Sequence, residues 1–310
     1  MTHLTNECFS DGSSVVTMRV MKIHHLDTGT LCPLGARFVN GKGGLFSRAR
    51  MVCHCLLLET PTGLVLVDGG IGMGDIADPD RLGWTWVRQA QPKLDASQTA
   101  LAQVRALGFS PRDVRDVVLT HLDLDHAGAI PDFPEARVHV HAREIDAATR
   151  RAGRLERRRY VPAQIPGLDR VRAFEDGGER WFGFEGVRAF DDRDPDVLLV
   201  PLRGHTAGHT GVAVRDGSRW LLHAGDAYFF HAQMHERPDA PLVLQYFQRQ
   251  ADHDRAARVQ NQERVRELAL SRPDEVTVFC AHDPVELDRL IGESRAPEAA
   301  PARPSVASVT

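Results

Sequence analysis

The chain has 310 residues, 42% of them hydrophobic and 26% charged, an ordinary globular balance with enough apolar material for a sizeable core. Its formal net charge of −4 argues against a nucleic-acid or anionic-membrane partner. Five cysteines (Cys8, Cys32, Cys53, Cys55 and Cys280) with no CxxC argue against a disulfide framework or a structural cysteine–zinc site, whereas fifteen histidines against three tyrosines invite a search for metal ligands.

The polar start MTHLTNECFSDGSS contains no apolar segment of signal-peptide type. No apolar run approaches the ~18 residues of a membrane span, so the cytoplasm is the expected compartment. Residues 1–14 read as a loose leader, 15–292 as one domain, and the Pro-, Ala- and Ser-rich stretch 293–310 as a disordered tail. Strands are predicted over residues 18–23, 52–58 and 64–67, the last two joined by the turn Thr60-Pro-Thr-Gly63 as a hairpin. Asp95 with Gln98 resembles a capping box and predicts a helix to about Leu107, stopped by Gly108. Further strands are predicted over 114–119, 137–141, 197–201, 211–214, 220–222 and 276–280, and helices over 142–157 and 252–270. Early hairpins followed by mixed βα units predict an α/β chain of the α+β type, two sheets with helices outside.

The chemistry concentrates in Thr120-His-Leu-Asp-Leu-Asp-His-Ala-Gly128, which carries His121, Asp123, Asp125 and His126 within six residues directly after a strand. A solvated turn has no use for that ligand density; a metal site does. Three more signals also follow strands: Gly204-His205-Thr-Ala-Gly-His209, His223-Ala-Gly-Asp226 and Phe279-Cys-Ala-His282. Loops at the ends of rigid strands are where sites are built.

In this order, Asp68-Gly-Gly, the H-x-D-x-D-H of His121–His126, Gly204-His205, Gly225-Asp226 and Ala281-His282 resemble the five motifs of the metallo-β-lactamase superfamily. The Ala127-Gly128 ending and the segment 204–210 look most like its lactonases and glyoxalase II-type thioesterases. The resemblance runs from about Met18 to Leu290. It implies an αββα sandwich with a dinuclear centre between the sheets: His121, Asp123 and His205 at site one, Asp125, His126 and His282 at site two, and Asp226 bridging. Asp68 would orient a ligand or its loop. The implied cofactors are two divalent ions, zinc first, with manganese or iron open because Asp123 stands where the family usually has a second His. The implied reaction is attack of a metal-bridging hydroxide on a lactone or related ester carbonyl. Asp125 would carry the proton to the leaving group, and Tyr228 would be either a catalytic hydrogen-bond donor or a packed aromatic. Alternatives within the fold are a thioesterase and a metal-dependent dioxygenase. A small-molecule substrate is the expected partner, without nucleic acid or membrane, and a homodimer stays open.

The other candidates have blander readings. His209 reads as a support to the ligands. His139 and His141 read as strand histidines, and Cys53-His54-Cys55 reads as strand packing without a metal role. The basic segment 150–159 reads as a solvated helix face in preference to an anion clamp. The aromatics Tyr228, Phe229, Phe230, Tyr246 and Phe247, with Met234, are expected either to wall an apolar substrate or to pack in the core.

Overall fold

The computed structural model describes residues 21–190 and 197–295. The expected leader, most of the expected tail and residues 18–20 of the first predicted strand lie outside the described residues. Among the described residues, twelve strands form two six-stranded mixed sheets. The first holds β1 (Lys22–Asp27), β2 (His54–Thr60), β3 (Gly63–Val67), β4 (Val114–Val118), β5 (Arg137–His141) and β6 (Val171–Phe174) in sequential order. The second runs in the reverse order: β12 (Val276–Phe279), β11 (Arg219–His223), β10 (Thr210–Asp216), β9 (Val197–Pro201), β8 (Phe184–Arg188) and β7 (Glu179–Trp181). β2 and β3 form the expected hairpin, with Thr60 opposite Gly63.

Period-2 alternation sorts the side chains into layers. From β2, Leu56 and Leu58 face the second sheet, whose Val197, Leu199, Val212 and Val214 answer them. Leu57 points the other way, into a layer shared with Val104 and Ile145 of the helices Ala100–Ala106 and Ala142–Arg150. On the second sheet Leu198, Val200 and Leu222 pack outward against Val265 and Leu268 of the helix Arg255–Ser271. Helices therefore cover both outer faces, and the architecture is the αββα sandwich.

Several elements differ from expectation for local reasons. The helix predicted over 142–157 is two, Ala142–Arg150 and Arg154–Arg159, broken where Arg151 adopts φ 43°. Asp95 caps only a short 3₁₀ turn, and Thr99 caps the α-helix that follows. The helix Pro284–Arg295 carries order past residue 293, where the tail was expected to start. No helix among the described residues is long and apolar enough to cross a membrane.

Candidate metal centre

Each motif sits just beyond the end of a strand: Asp68 after β3, His121–His126 after β4, His205 after β9, Asp226 after β11 and His282 after β12. β3 and β4 are parallel, as are β11 and β12, and β9 runs with β11 through the antiparallel β10 between them. The five loops consequently open at one end of the sandwich. Backbone hydrogen bonds lace them together: Gly69 N to His126 O (2.7 Å), Thr210 N to Thr120 O (2.9 Å) and Ala281 N to Gly225 O (3.1 Å). Two glycines permit the approach. A Cβ on Gly128 would lie 2.4 Å from the Gly70 carbonyl, and one on Gly225, whose φ is 53°, would lie 2.6 Å from His209 Nε2.

The loops bring all seven predicted ligands together. His121, Asp123, His205 and Asp226 converge with one donor atom each within 4.8 Å of one another, and so do His126, Asp226 and His282. Asp226 serves both groups: its Oδ2 lies 3.8 Å from His121 Nε2 and 3.3 Å from His205 Nε2, while Oδ1 lies 3.4 Å from His126 Nε2 and 3.2 Å from His282 Nε2. Asp125 stands at the rim, its Oδ2 3.9 Å from His282 Nε2.

The rings are aimed by their other nitrogens. His126 Nδ1 is 2.8 Å from Asp68 Oδ2, and His282 Nδ1 is 2.8 Å from the Val52 carbonyl. Both partners are acceptors, so Nδ1 carries the proton and Nε2 is turned inward. Asp68 adopts φ 57° and also accepts from Thr120 N and Oγ1. His209 accepts from Asp226 N through Nε2 (2.8 Å) and donates to the Leu202 carbonyl through Nδ1 (2.9 Å), which leaves it no free nitrogen. It is the support expected.

The donor set fits divalent cations. His121 Nε2 and Asp226 Oδ1 are buried without a hydrogen-bond partner, an arrangement that is costly unless a ligand satisfies them. The electrostatics agree. Burial opposes ionisation of Asp226, but His282, His126 and His205 around it hold its carboxyl well below the usual range. Against the same burial, Asp226 and Asp125 push His282 up to about 9. Without metal the cluster collects protons as its positive charge, and metal binding would release them.

Tyr228 lies away from the cluster. It is fully buried in the layer outside the second sheet, and its hydroxyl donates to Glu286 Oε1 at 2.8 Å. This placement favours the packed reading of Tyr228 over the catalytic one. Its neighbour Phe229 faces the site, with ring centroids 5.9 Å from His205 and 5.3 Å from His282. Tyr246 and Phe247 are exposed on the helix Leu242–Ala251.

Cys53 is buried in the core as expected, and its sulfur lies beside Asp125 and His282. His139 and His141 are structural, paired with Asp116 and Asp176 respectively. Sequence reasoning missed two supports. Glu144 accepts from Leu122 N, Gly208 N and Tyr160 Oη, tying two ligand loops together. Arg159, the last of a run of otherwise exposed arginines, is buried with its guanidinium 3.2 Å from Asp123 Oδ1. One signal could have pointed to it: an extra carboxylate in a buried cluster calls for a cation.

Comparison with known proteins supports this construction. The profile of the metallo-beta-lactamase superfamily matches residues 48–282. A probable metallo-hydrolase of Mycobacterium tuberculosis is 38% identical over 264 residues, covering 85% of this chain and 81% of the relative. An N-acyl homoserine lactonase of Agrobacterium fabrum is 30% identical over 222 residues, covering 68% and 78%. Among solved structures, a variant of the B. thuringiensis protein AiiA with N-decanoyl-L-homoserine at its active site superposes with a TM-score of 0.66 at 22% identity, covering 88% of this chain and 97% of that one. AidC, a dizinc quorum-quenching lactonase, gives 0.55 at 16% identity over 86% and 90%. The matched profile runs through all five loops that build the His/Asp cluster, and the chain belongs to the metallo-β-lactamase superfamily.

Proposed function

We propose that the protein is a dinuclear metal-dependent hydrolase that opens a lactone or a related ester. The observation that carries this reading is the position of Asp226, one oxygen toward His121 and His205 and the other toward His126 and His282. Site one takes His121, Asp123 and His205, site two takes Asp125, His126 and His282, and Asp226 is shared. Two divalent ions held there would supply Lewis acidity and lower the pKa of a water. Zinc is the first expectation, and the oxygen donor Asp123 widens the choice toward manganese or iron.

The chain's own groups do the rest. Asp125, at the rim and still partly exposed, is placed to take a proton and deliver it to the leaving oxygen. Phe229 gives the site an apolar wall against His205 and His282, which excludes water and favours substrates with an apolar portion. The ester-type substrate is supported by the lactonases among the relatives.

The test is a panel of lactones, linear esters and thioesters assayed with the metal-loaded protein and with Asp226→Ala. The expected result is turnover of a lactone or ester by the native protein only. Cleavage of thioesters alone would overturn the ester assignment, and full activity in Asp226→Ala would overturn the site.

A further inference from the structure

We propose that Asp123 and Arg159 work as one unit that takes the place of a neutral imidazole at site one. Resting on the reading of Asp123 as a donor, this inference assigns a positioning and charge-balancing role to Arg159.

Asp123 divides its two oxygens. Oδ2 lies 3.1 Å from His205 Nε2 and 3.5 Å from His121 Nε2, inside the cluster. Oδ1 points out of it toward Arg159 Nη1 at 3.2 Å. This contact is an ion pair, since Oδ1 has no aligned hydrogen bond. The Arg159 side chain is only 5% exposed. The same guanidinium donates to the carbonyl of His205, another proposed ligand, at 3.1 Å, and to that of Ala251 at the end of the helix Leu242–Ala251. A planar fork with several donors suits this task of holding a carboxylate and two carbonyls at once.

The charge argument is independent of these distances. A carboxylate in place of an imidazole adds one negative charge to the cluster, and the buried guanidinium returns one positive charge beside it. The net charge felt by the ions then equals that of a site with histidine at position 123 and no arginine nearby. The two changes make sense only together. A buried guanidinium without this carboxylate loses its strongest counter-ion and keeps only Glu144 and Asp226, and the carboxylate without its guanidinium overloads the cluster with negative charge and is free to swing. Removing one partner of a buried pair is far more damaging than replacing both.

The experiment compares Asp123→His, Arg159→Met and the double variant, reading zinc affinity at each step by competition with a chromophoric chelator. Each single variant should weaken the site-one step by about tenfold or more, and the double variant should recover to within about threefold of the native protein, a coupling in the range seen for contacting residues. If Arg159 only tethers the carbonyls of His205 and Ala251, the two defects will multiply in the double variant, and the pairing is overturned. Asp123→Ala separates the two readings. Loss of one ion with multiplying defects sinks only the pairing, whereas two ions held with native affinity sink Asp123 as a donor altogether. Should the double variant fail to fold, Arg159→Lys decides: affinity clearly closer to native than in Arg159→Met supports the charge role, and equal loss in both overturns it.

Discussion

Asp68 Oδ2 lies 2.8 Å from His126 Nδ1, and the same carboxylate accepts from both the backbone and the hydroxyl of Thr120. Burial would raise this acid, but His126 beside it holds it down at about 2. One side chain thus sets the ring orientation of a proposed site-two ligand and ties the loop after β3 to the loop after β4. Asp68→Asn keeps the shape and removes the charge. The expected outcome is a folded protein whose site-two zinc affinity is lower by about 10–100-fold. Zinc titration of the metal-free variant checks this, and native affinity would show that His126 needs no such support.

Tyr228→Phe separates packing from catalysis. The hydroxyl bonds Glu286 on the far side of the second sheet from its partner sheet, so kcat should stay within about threefold of native while stability drops by about 1–2 kcal/mol. A phenol stabilising a developing oxyanion would instead cost about 10²–10³ in kcat. Paired urea-unfolding and turnover measurements distinguish the two, and a hundredfold fall in kcat would return Tyr228 to the active site.

Glu286, outside the proposed ligand set, gives a pH signature of its own. Burial, reinforced by the Asp283 carboxylate, pushes it up to about 7 from an ordinary value of 4.5. Between those values the folded chain holds a proton that the unfolded chain has released, so stability falls as pH rises across this window. The contribution is at most ~3 kcal/mol. Glu286→Gln can still accept from Cys280 N and hydrogen-bond Tyr228, but it has no proton to lose. Relative to this variant, the native chain should lose stability between pH 5 and pH 8 in urea unfolding of the metal-free proteins. A constant difference across that range would contradict the burial argument.

His209→Ala removes the ring that receives the Asp226 amide. Two ions should still bind, each less tightly, because Asp226 keeps its carboxylate but loses an anchor of its loop. His205→Ala should abolish one binding event. Isothermal titration with zinc compares them, and equal loss of a site in both variants would mean that His209 is a ligand.

The strands that carry the ligand loops were legible because they are buried and apolar, Val114–Val118 and Val197–Pro201 being the clearest cases. Three strands were not. Val171–Phe174, Glu179–Trp181 and Phe184–Arg188 sit toward the outer edges of the sheets, half exposed, so arginine, glutamate and glycine interrupt their alternation. The seven candidate ligands could be picked out because the four motifs that carry them each follow a strand. Tyr228 could not be assigned from the sequence because a single position along the chain decides whether an aromatic faces the cluster or the outer layer, and Phe229 holds the inward position. Arg159 was hidden among arginines of the same segment, and only its burial against Asp123 distinguishes it.

In the proposed centre one carboxylate, Asp226, joins two metal sites. Zinc titration of the metal-free native chain, with elemental analysis of gently purified protein, tests it most directly. The expected result is two ions per chain and two resolved binding events, with both events weakened by Asp226→Ala. Saturation at a single ion per chain, or an Asp226→Ala variant that binds two ions with native affinity, would contradict it.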